Sequence, residues 1–260
     1  MLRVTKDVVS SLGRSTFINR VSEPVLWHTN LHMGNIYVSY KGPDTAKIVS
    51  LIDWQSIVVA PLFLQARFPK FLSVDEDYKL SAKEFPELPH DYDEMDATEK
   101  KLAEDKLKIA KLSKVYEVTS GFQNNRGYKA LHIPSFLREL FVRCGEVSEE
   151  GAIPLRACLI EVYKTWDELE IMDPRPLRFS DDDLERHDRE FDEYRSFHSV
   201  LEFARKMLST DVEGWISPRL DFDMMQQENV KLLEAAMRRS TDFNKSPDDI
   251  RSIWPYIDRS

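Results

Sequence analysis

The stretch VLWHTNLHMGNIYV, residues 25–38, joins a polar loop to the start of a strand. Its first eleven residues hold two histidines and two asparagines, and an alternating pattern then runs from Asn35 to Tyr40. A second strand pattern, Lys47 to Ile52, ends in LIDWQ, where Asp53 follows an apolar run. The letters between the two patterns, KGPDT, are typical of a turn. The sequence therefore predicts a β-hairpin with polar side chains at its open end.

The spacing of the hairpin brings two polar residues to that open end. Asn35 and Asp53 are equidistant from Asp44 in the turn. In an antiparallel pair without a bulge they lie opposite each other, with Cβ atoms about 5 Å apart. Amide and carboxylate oxygens suit a hard cation such as Mg²⁺, which keeps several waters and binds substrate phosphates. The pattern predicts a magnesium site formed by Asn35 and Asp53.

Composition narrows the class of protein. The chain has 260 residues, 42% hydrophobic and 31% charged, with a net charge of -9. This acidic balance argues against nucleic acid or an anionic membrane as a partner. The longest apolar run, 57–64, is too short to span a bilayer, and residues 1–20 lack the continuous apolar run of a secretory signal. Cys144 and Cys158 are interpreted as two buried thiols in a reducing, intracellular compartment.

The rest of the chain is predicted to be mainly helical. We divide it into a helix and connector (1–24), a loop and hairpin (25–72), an acidic loop (73–97) and a helical subdomain (98–260). Helical patterns cover 98–119, 135–144, 154–170, 181–209, 222–239 and 246–258. After Asp53 no convincing strand pattern returns. The predicted fold class is α+β, mainly α.

Two details of these helices bear on function. In the first, six residues fall mostly on one face, as in an amphipathic helix: Leu102, Leu107, Ala110, Leu112, Val115 and Tyr116. Before the fourth, Ser180 precedes three aspartates, 181–183, which resemble a metal site. An N-cap with acids at the positive end of the helix dipole is the favoured interpretation of this triplet.

The first motif has the spacing of a kinase catalytic loop. His28, Asn30 and Asn35 read H-x-N-x-x-x-x-N, whereas protein kinases use H-x-D-x-x-x-x-N followed by a D-F-G aspartate. Here I-D-W at Asp53 takes the place of D-F-G. The segment resembles the aminoglycoside phosphotransferase and choline kinase branch of the kinase-like fold. Residues 25–38 and 48–72 are similar to the fungal phosphotransferase-like proteins called altered inheritance of mitochondria.

The resemblance implies a protein-kinase-like C-terminal lobe that transfers phosphate from ATP to a small molecule, which the sequence does not identify. By this resemblance Asn35 and Asp53 ligate Mg²⁺ that bridges the ATP phosphates. His28 braces the loop, His32 supports its shape, and Asn30 occupies the base position. The family name implies a mitochondrial location.

The chain departs from the family pattern in two ways. Asn30 can orient a hydroxyl group but cannot take its proton at neutral pH. Only 27 residues precede His28, whereas a five-stranded lobe with one helix needs roughly 60 residues from average element and loop lengths. No G-x-G-x-x-G occurs. We therefore expect the N-terminal ATP-clamping lobe to be absent, ATP binding to be weak and catalysis to be impaired.

Three other interpretations stay open at this point. A metal hydrolase would use His28 and His32 as an i, i+4 pair on a helix, with Asp53 as third ligand, but it lacks the glutamate of H-E-x-x-H. Both histidines can instead be ordinary loop or core residues. Finally, the chain can be a non-catalytic kinase-like module that binds a partner without turnover.

Overall fold

Helices account for most of the computed structural model, and the strands form two small sheets. The structure describes residues 1–40, 42, 45–55, 57–72, 78–81, 83–211 and 214–257. Three residues of the KGPDT turn and residues 73–77 and 82 of the predicted acidic loop lie outside the described residues. The α+β, mainly α class predicted from the sequence is confirmed.

The chain divides into two compact units. The first comprises Met1–Gly145 and Glu161–Leu177, and the second comprises Glu146–Ile160 and the residues from Arg178 onward. The division falls within two helices, α6 (Ser135–Glu150) and α7 (Ile153–Lys164), so each of these contributes residues to both units.

The first unit contains all four named strands and the helices that precede α6. Its strands are β1 (Pro24–Leu26), β2 (Ile36–Ser39), β3 (Lys47–Leu51) and β4 (Val59–Pro61), and its other helices are α1 (Leu2–Leu12), α2 (Thr16–Asn19), α3 (Leu62–Gln65), α4 (Ala97–Gln123) and α5 (Asn125–Leu131). β2 pairs with β3, and β1 pairs with β4, both antiparallel. The β1–β4 pair corrects the expectation that no strand follows Asp53. A three-residue strand that ends in a proline is too short to show an alternating pattern.

Helix α4 is the longest element of the first unit. Asp96 caps its N-terminus and forms a capping box with Glu99, and the helix ends at Asn124, which in turn caps α5. The amphipathic interpretation of α4 is wrong, since Leu112 and Val115 are exposed whereas Lys114 and Glu117 are buried. Lys114 and Glu117 can be buried because both charged groups form hydrogen bonds.

The second unit is built on α8 (Asp181–Leu208), α9 (Phe222–Arg238) and α10 (Pro247–Ile253). Its core contains Val200, Ala204, Ala236, Ile250 and Trp254. Ser180 forms a capping box with Asp183 at the start of α8, which confirms capping as the role of this aspartate. Among the described residues, no helix is long and apolar enough to cross a membrane.

The two cysteines differ in burial. Cys158 is buried, as predicted, but Cys144 is half-buried, so that part of the prediction is wrong. Burial nevertheless raises the pKa of the Cys144 thiol, which lowers its reactivity at neutral pH.

Candidate functional site

The predicted hairpin forms, but its register differs from the simple symmetric one. Tyr37 pairs with Ser50, and Val38 pairs with Ile48, so Val49 is an extra residue in β3. This bulge shifts the pairing by one residue. Asn35 therefore lies opposite Ile52, whose N–H donates to the Asn35 carbonyl at 3.0 Å. The expectation that Asn35 and Asp53 lie directly opposite each other is wrong, because it assumed a hairpin without a bulge.

The side chains of Asn35 and Asp53 nevertheless meet. Asn35 Nδ2 donates to Asp53 Oδ2 at 3.3 Å and to the Asn30 carbonyl at 3.1 Å. Asp53 has a left-handed backbone conformation, with φ of 62°, which bends the chain at the end of β3. Such a conformation is rare for residues other than glycine, although aspartate and asparagine adopt it more readily than most. Retention of a strained carboxylate beside a polar loop is typical of functional sites.

His28 fixes the loop to the end of the hairpin. Its Nε2 lies 2.8 Å from the Ile52 carbonyl, and its ring meets the Trp54 ring edge-on, with centroids 4.8 Å apart. Because a carbonyl can only accept, the ring proton is on Nε2. Nδ1 is buried and has no hydrogen-bond partner among the described residues. Trp54 is held in turn by a bond from Nε1 to the Leu51 carbonyl at 2.8 Å. His28 thus contacts Ile52 and Trp54, the two sequence neighbours of Asp53.

His32 organises the next turn of the loop. Its Nδ1 accepts from the Gly34 N–H at 3.2 Å, at the start of a 3₁₀ turn that covers Met33–Asn35. A Cβ on Gly34 would lie 3.1 Å from the His32 ring, so this close approach favours glycine. The Leu31 carbonyl accepts from the Lys70 N–H at 2.9 Å and joins the loop to the segment after α3.

The loop does not support a metal hydrolase. Residues 27–32 form no helix, and His28 and His32 are engaged in the separate contacts just described. No group of three His, Cys, Asp or Glu side chains suited to a metal occurs in the part of the chain that the structure describes. The helical His28–His32 pair that this alternative requires is therefore not formed.

The Asn35 and Asp53 side chains do fit a hard cation that keeps most of its waters. Both hydrogen bonds of Asn35 use its amide nitrogen, so neither of them engages the oxygen Oδ1. The bond from Asn35 Nδ2 engages only Oδ2 of the Asp53 carboxylate. One amide oxygen and one carboxylate oxygen are a ligand set that Mg²⁺ accepts. The backbone carbonyl of Asn30 also lies beside the Asn35 amide. Asn30 itself is half-buried.

A second polar cluster was not predicted. Lys114 Nζ bonds Glu117 at 2.7 Å, and Glu117 also accepts from Tyr78 at 2.7 Å and contacts His132 Nε2 at 3.1 Å. Glu117 is fully buried. Burial, followed by the bond to Glu117, raises the pKa of the Tyr78 phenol. The only sequence signal for this cluster is an i, i+3 Lys–Glu pair, which is common on exposed helices.

Comparison with known proteins gives two relatives, both named subtelomeric hrmA-associated cluster protein, from the A1163 and Af293 strains of Aspergillus fumigatus. Each is 28% identical over 242 residues, which cover 92% of this chain and 46% of the relative. The chain thus spans about half the length of the curated relatives it matches. The sequence matches no family model. No solved structure matches it either.

Proposed function

We propose that Asn35 and Asp53 hold Mg²⁺, which in turn positions a phosphate-bearing ligand such as ATP. The observation that carries this proposal is the 3.3 Å contact between the Asn35 amide and the Asp53 carboxylate at the end of a hairpin. The site would then be related to that of aminoglycoside phosphotransferases and choline kinases. Bound there, the cation would neutralise phosphate charge, the main requirement of phosphoryl transfer.

The other loop residues have positioning roles in this proposal. His28 ties the loop to Ile52, the residue before Asp53, through a 2.8 Å hydrogen bond. His32 shapes the turn that ends at Asn35. Movement of either ring would change the separation of the two ligand side chains. The positions of Asn35 and Asp53 would thus depend on hydrogen bonds of the residues just before them, Gly34 and Ile52.

Asn30, at the position of the catalytic base, is expected to lower the rate of phosphoryl transfer. Its amide can orient an acceptor hydroxyl group, but loss of a general base typically lowers a rate by about 10²–10⁴. The second candidate function is therefore a non-catalytic kinase-like module that binds a phosphate-bearing ligand or a partner. Asn30 favours the non-catalytic module. The phosphotransferase and the non-catalytic module would use the same cation site.

The hairpin surface is consistent with a further polypeptide segment. Val38 and its partner Ile48 are 50% and 66% exposed, and the neighbouring bulge residue Val49 is 63% exposed, although all three are large apolar residues. Exposed apolar patches of this kind usually mark an interaction surface. We propose that a segment equivalent to the unmatched half of the relatives covers the hairpin and completes the nucleotide site. A mitochondrial location stays a prediction.

The experiment is a titration of fluorescent methylanthraniloyl-ATP into the 260-residue chain, with Mg²⁺ and with EDTA. We expect weak binding with Mg²⁺, with a Kd on the order of 1 mM, since only two side chains contribute ligands. Binding should be lost in EDTA and in Asp53→Ala. Asp93→Ala removes an exposed carboxylate elsewhere in the first unit and should bind like the wild type.

Equal binding in EDTA, or in Asp53→Ala, would overturn the proposal. Binding tighter than about 1 µM would instead contradict the expectation that this chain lacks part of the nucleotide site.

A further inference from the structure

A cavity of about 690 Å³ lies between the described residues of the segment 78–95, which are 78–81 and 83–95, on one side and residues 99–114 of α4 on the other, all in the first unit. Its volume is within the usual range of small-molecule sites. Its apolar lining residues include Phe85, Met95, Leu102, Leu107 and Ile109. None of these residues belongs to the loop that holds His28 and Asn35, so the cavity is formed by other residues than the proposed cation site.

Several of the apolar side chains that line this cavity face water. Phe85 is 69% exposed, Leu102 is 59% exposed and Ile109 is 41% exposed. Apolar surface in contact with water is unfavourable in proportion to its area, and a ligand that covers it gains that free energy. Because the surface is concave, a small molecule can cover all three side chains at once.

The wall of the cavity is held in place by buried hydrogen bonds. Lys114 Nζ donates to the carbonyls of Lys79 and Ser81, both at 2.9 Å, and its ammonium lies 4.6 Å from the centre of the Tyr78 ring. Lys114 is itself almost fully buried and is paired with Glu117. These bonds fasten the start of the segment to α4, so the site exists before a ligand arrives, and little ordering is needed on binding.

Several of the charges around the cavity are paired within the protein. Its described lining includes three lysines and three glutamates: Lys79, Lys106, Lys114, Glu84, Glu87 and Glu99. Lys79 pairs with Glu84 at 3.3 Å, Lys114 pairs with Glu117, and Glu99 accepts from the backbone N–H of Asp96 at 2.9 Å. Burial of a charged ligand would cost its hydration, and much of the opposite charge in the lining is already paired.

We infer that this cavity is a binding site for an uncharged, mainly apolar small molecule. The site is independent of the cation site, and it needs neither Mg²⁺ nor nucleotide. Its specificity arises from shape and apolar contact, and the cost of removing water from a charged group selects against ionic ligands.

The test uses N-phenyl-1-naphthylamine, a neutral dye that becomes fluorescent in apolar surroundings. We expect saturable binding of one dye per chain, unchanged in EDTA. Leu102→Glu should weaken binding at least tenfold, because it places a carboxylate against the ligand. Leu112→Glu is the matched control: Leu112 is on the same helix and is 58% exposed, but it does not line the cavity. It should change the affinity less than twofold.

A second pair of variants keeps the test decisive if Leu102→Glu does not fold. Phe85→Ser shortens an exposed lining side chain, and Phe122→Ser changes a residue of α4 that is 83% exposed and does not line the cavity. Only the first should weaken dye binding. Displacement then distinguishes ligand classes: decanol should displace the dye at lower concentration than decanoate or decylamine.

Three results would overturn the inference. The first is a lack of saturable dye binding. The second is an equal loss of affinity in a lining variant and its control, which would place the dye on the exposed apolar surface in general. The third is stronger displacement by decanoate or decylamine than by decanol, which would assign the cavity to a charged ligand.

Discussion

Asn35 Nδ2 lies 3.3 Å from Asp53 Oδ2, although the backbone of Asn35 pairs with Ile52. Two local features produce this relationship. An extra residue in β3 shifts the hairpin register by one, and the left-handed conformation of Asp53 bends the chain just after the last paired residue. The carboxylate thus lies beside the amide without being its cross-strand partner.

The first prediction concerns the base position. Asn30→Asp should increase the release of phosphate from ATP by the 260-residue chain, at millimolar ATP and Mg²⁺. The expected gain is on the order of 10²-fold, because a carboxylate can accept the proton that an amide cannot. The measurement follows labelled inorganic phosphate from γ-labelled ATP.

The double variant Asn30→Asp/Asp53→Ala is the control for this gain, and it should return the rate to background. If Asn30→Asp is no faster than the wild type while metal-dependent nucleotide binding is intact, the non-catalytic module is the better description of the protein.

The second prediction concerns the buried pair of α4. Glu117→Ala should lower the free energy of unfolding by about 3–5 kcal/mol, because it leaves the Lys114 ammonium buried without its partner carboxylate. Asp105→Ala is the matched control, since Asp105 and Lys108 form an i, i+3 pair on the same helix but in solvent. An exposed pair contributes little. Urea denaturation measures both, and similar destabilisation of the two variants would contradict the role given to burial.

The third prediction concerns alkaline pH. Burial and the bond to Glu117 raise the pKa of Tyr78 above its usual value of 10.0. The folded state therefore keeps this proton after the unfolded chain has released it. The stabilisation is complete below pH of about 10 and is lost as pH rises further. Midpoints of urea denaturation should accordingly fall steeply above that pH.

Tyr78→Phe should flatten this alkaline fall in stability, whereas Tyr37→Phe, at an exposed ring of the hairpin, should leave it as in the wild type. Half-buried Tyr116, whose pKa is raised by desolvation, accounts for part of the remaining slope. An unchanged slope in Tyr78→Phe would show that the Tyr78–Glu117 contact does not persist in solution.

Local patterns were sufficient to predict the hairpin and most helices. Turn letters between two strand patterns predicted β2 and β3, and Ser180 followed by acids predicted the start of α8 at Asp181. The symmetry of the hairpin about Asp44 predicted that Asn35 and Asp53 come together, although their register differs by one residue. In each case the signal lies within about twenty residues of sequence, where turn and capping preferences act.

The features that the sequence did not predict depend on packing or on single-residue irregularities. The bulge at Val49 has no glycine or proline to mark it. The pairing of β1 with β4 joins segments about 35 residues apart through strands of three residues. Burial of Lys114 and Glu117 reverses the pattern expected of α4, since the partners that satisfy them come from residues 78–81 and from His132. Neither partner follows from helical periodicity.

The most direct test of a cation site at Asn35 and Asp53 is the binding of Mn²⁺, a paramagnetic substitute for Mg²⁺. Binding is measured by electron paramagnetic resonance in the presence of inorganic pyrophosphate. The expected result is one bound ion per chain, with affinity reduced at least tenfold in Asp53→Asn and in Asn35→Ala and unchanged in Asp93→Ala. Wild-type protein that binds no Mn²⁺ under these conditions, or an Asp53→Asn variant that binds it equally well, would contradict the assignment of a cation site to Asn35 and Asp53.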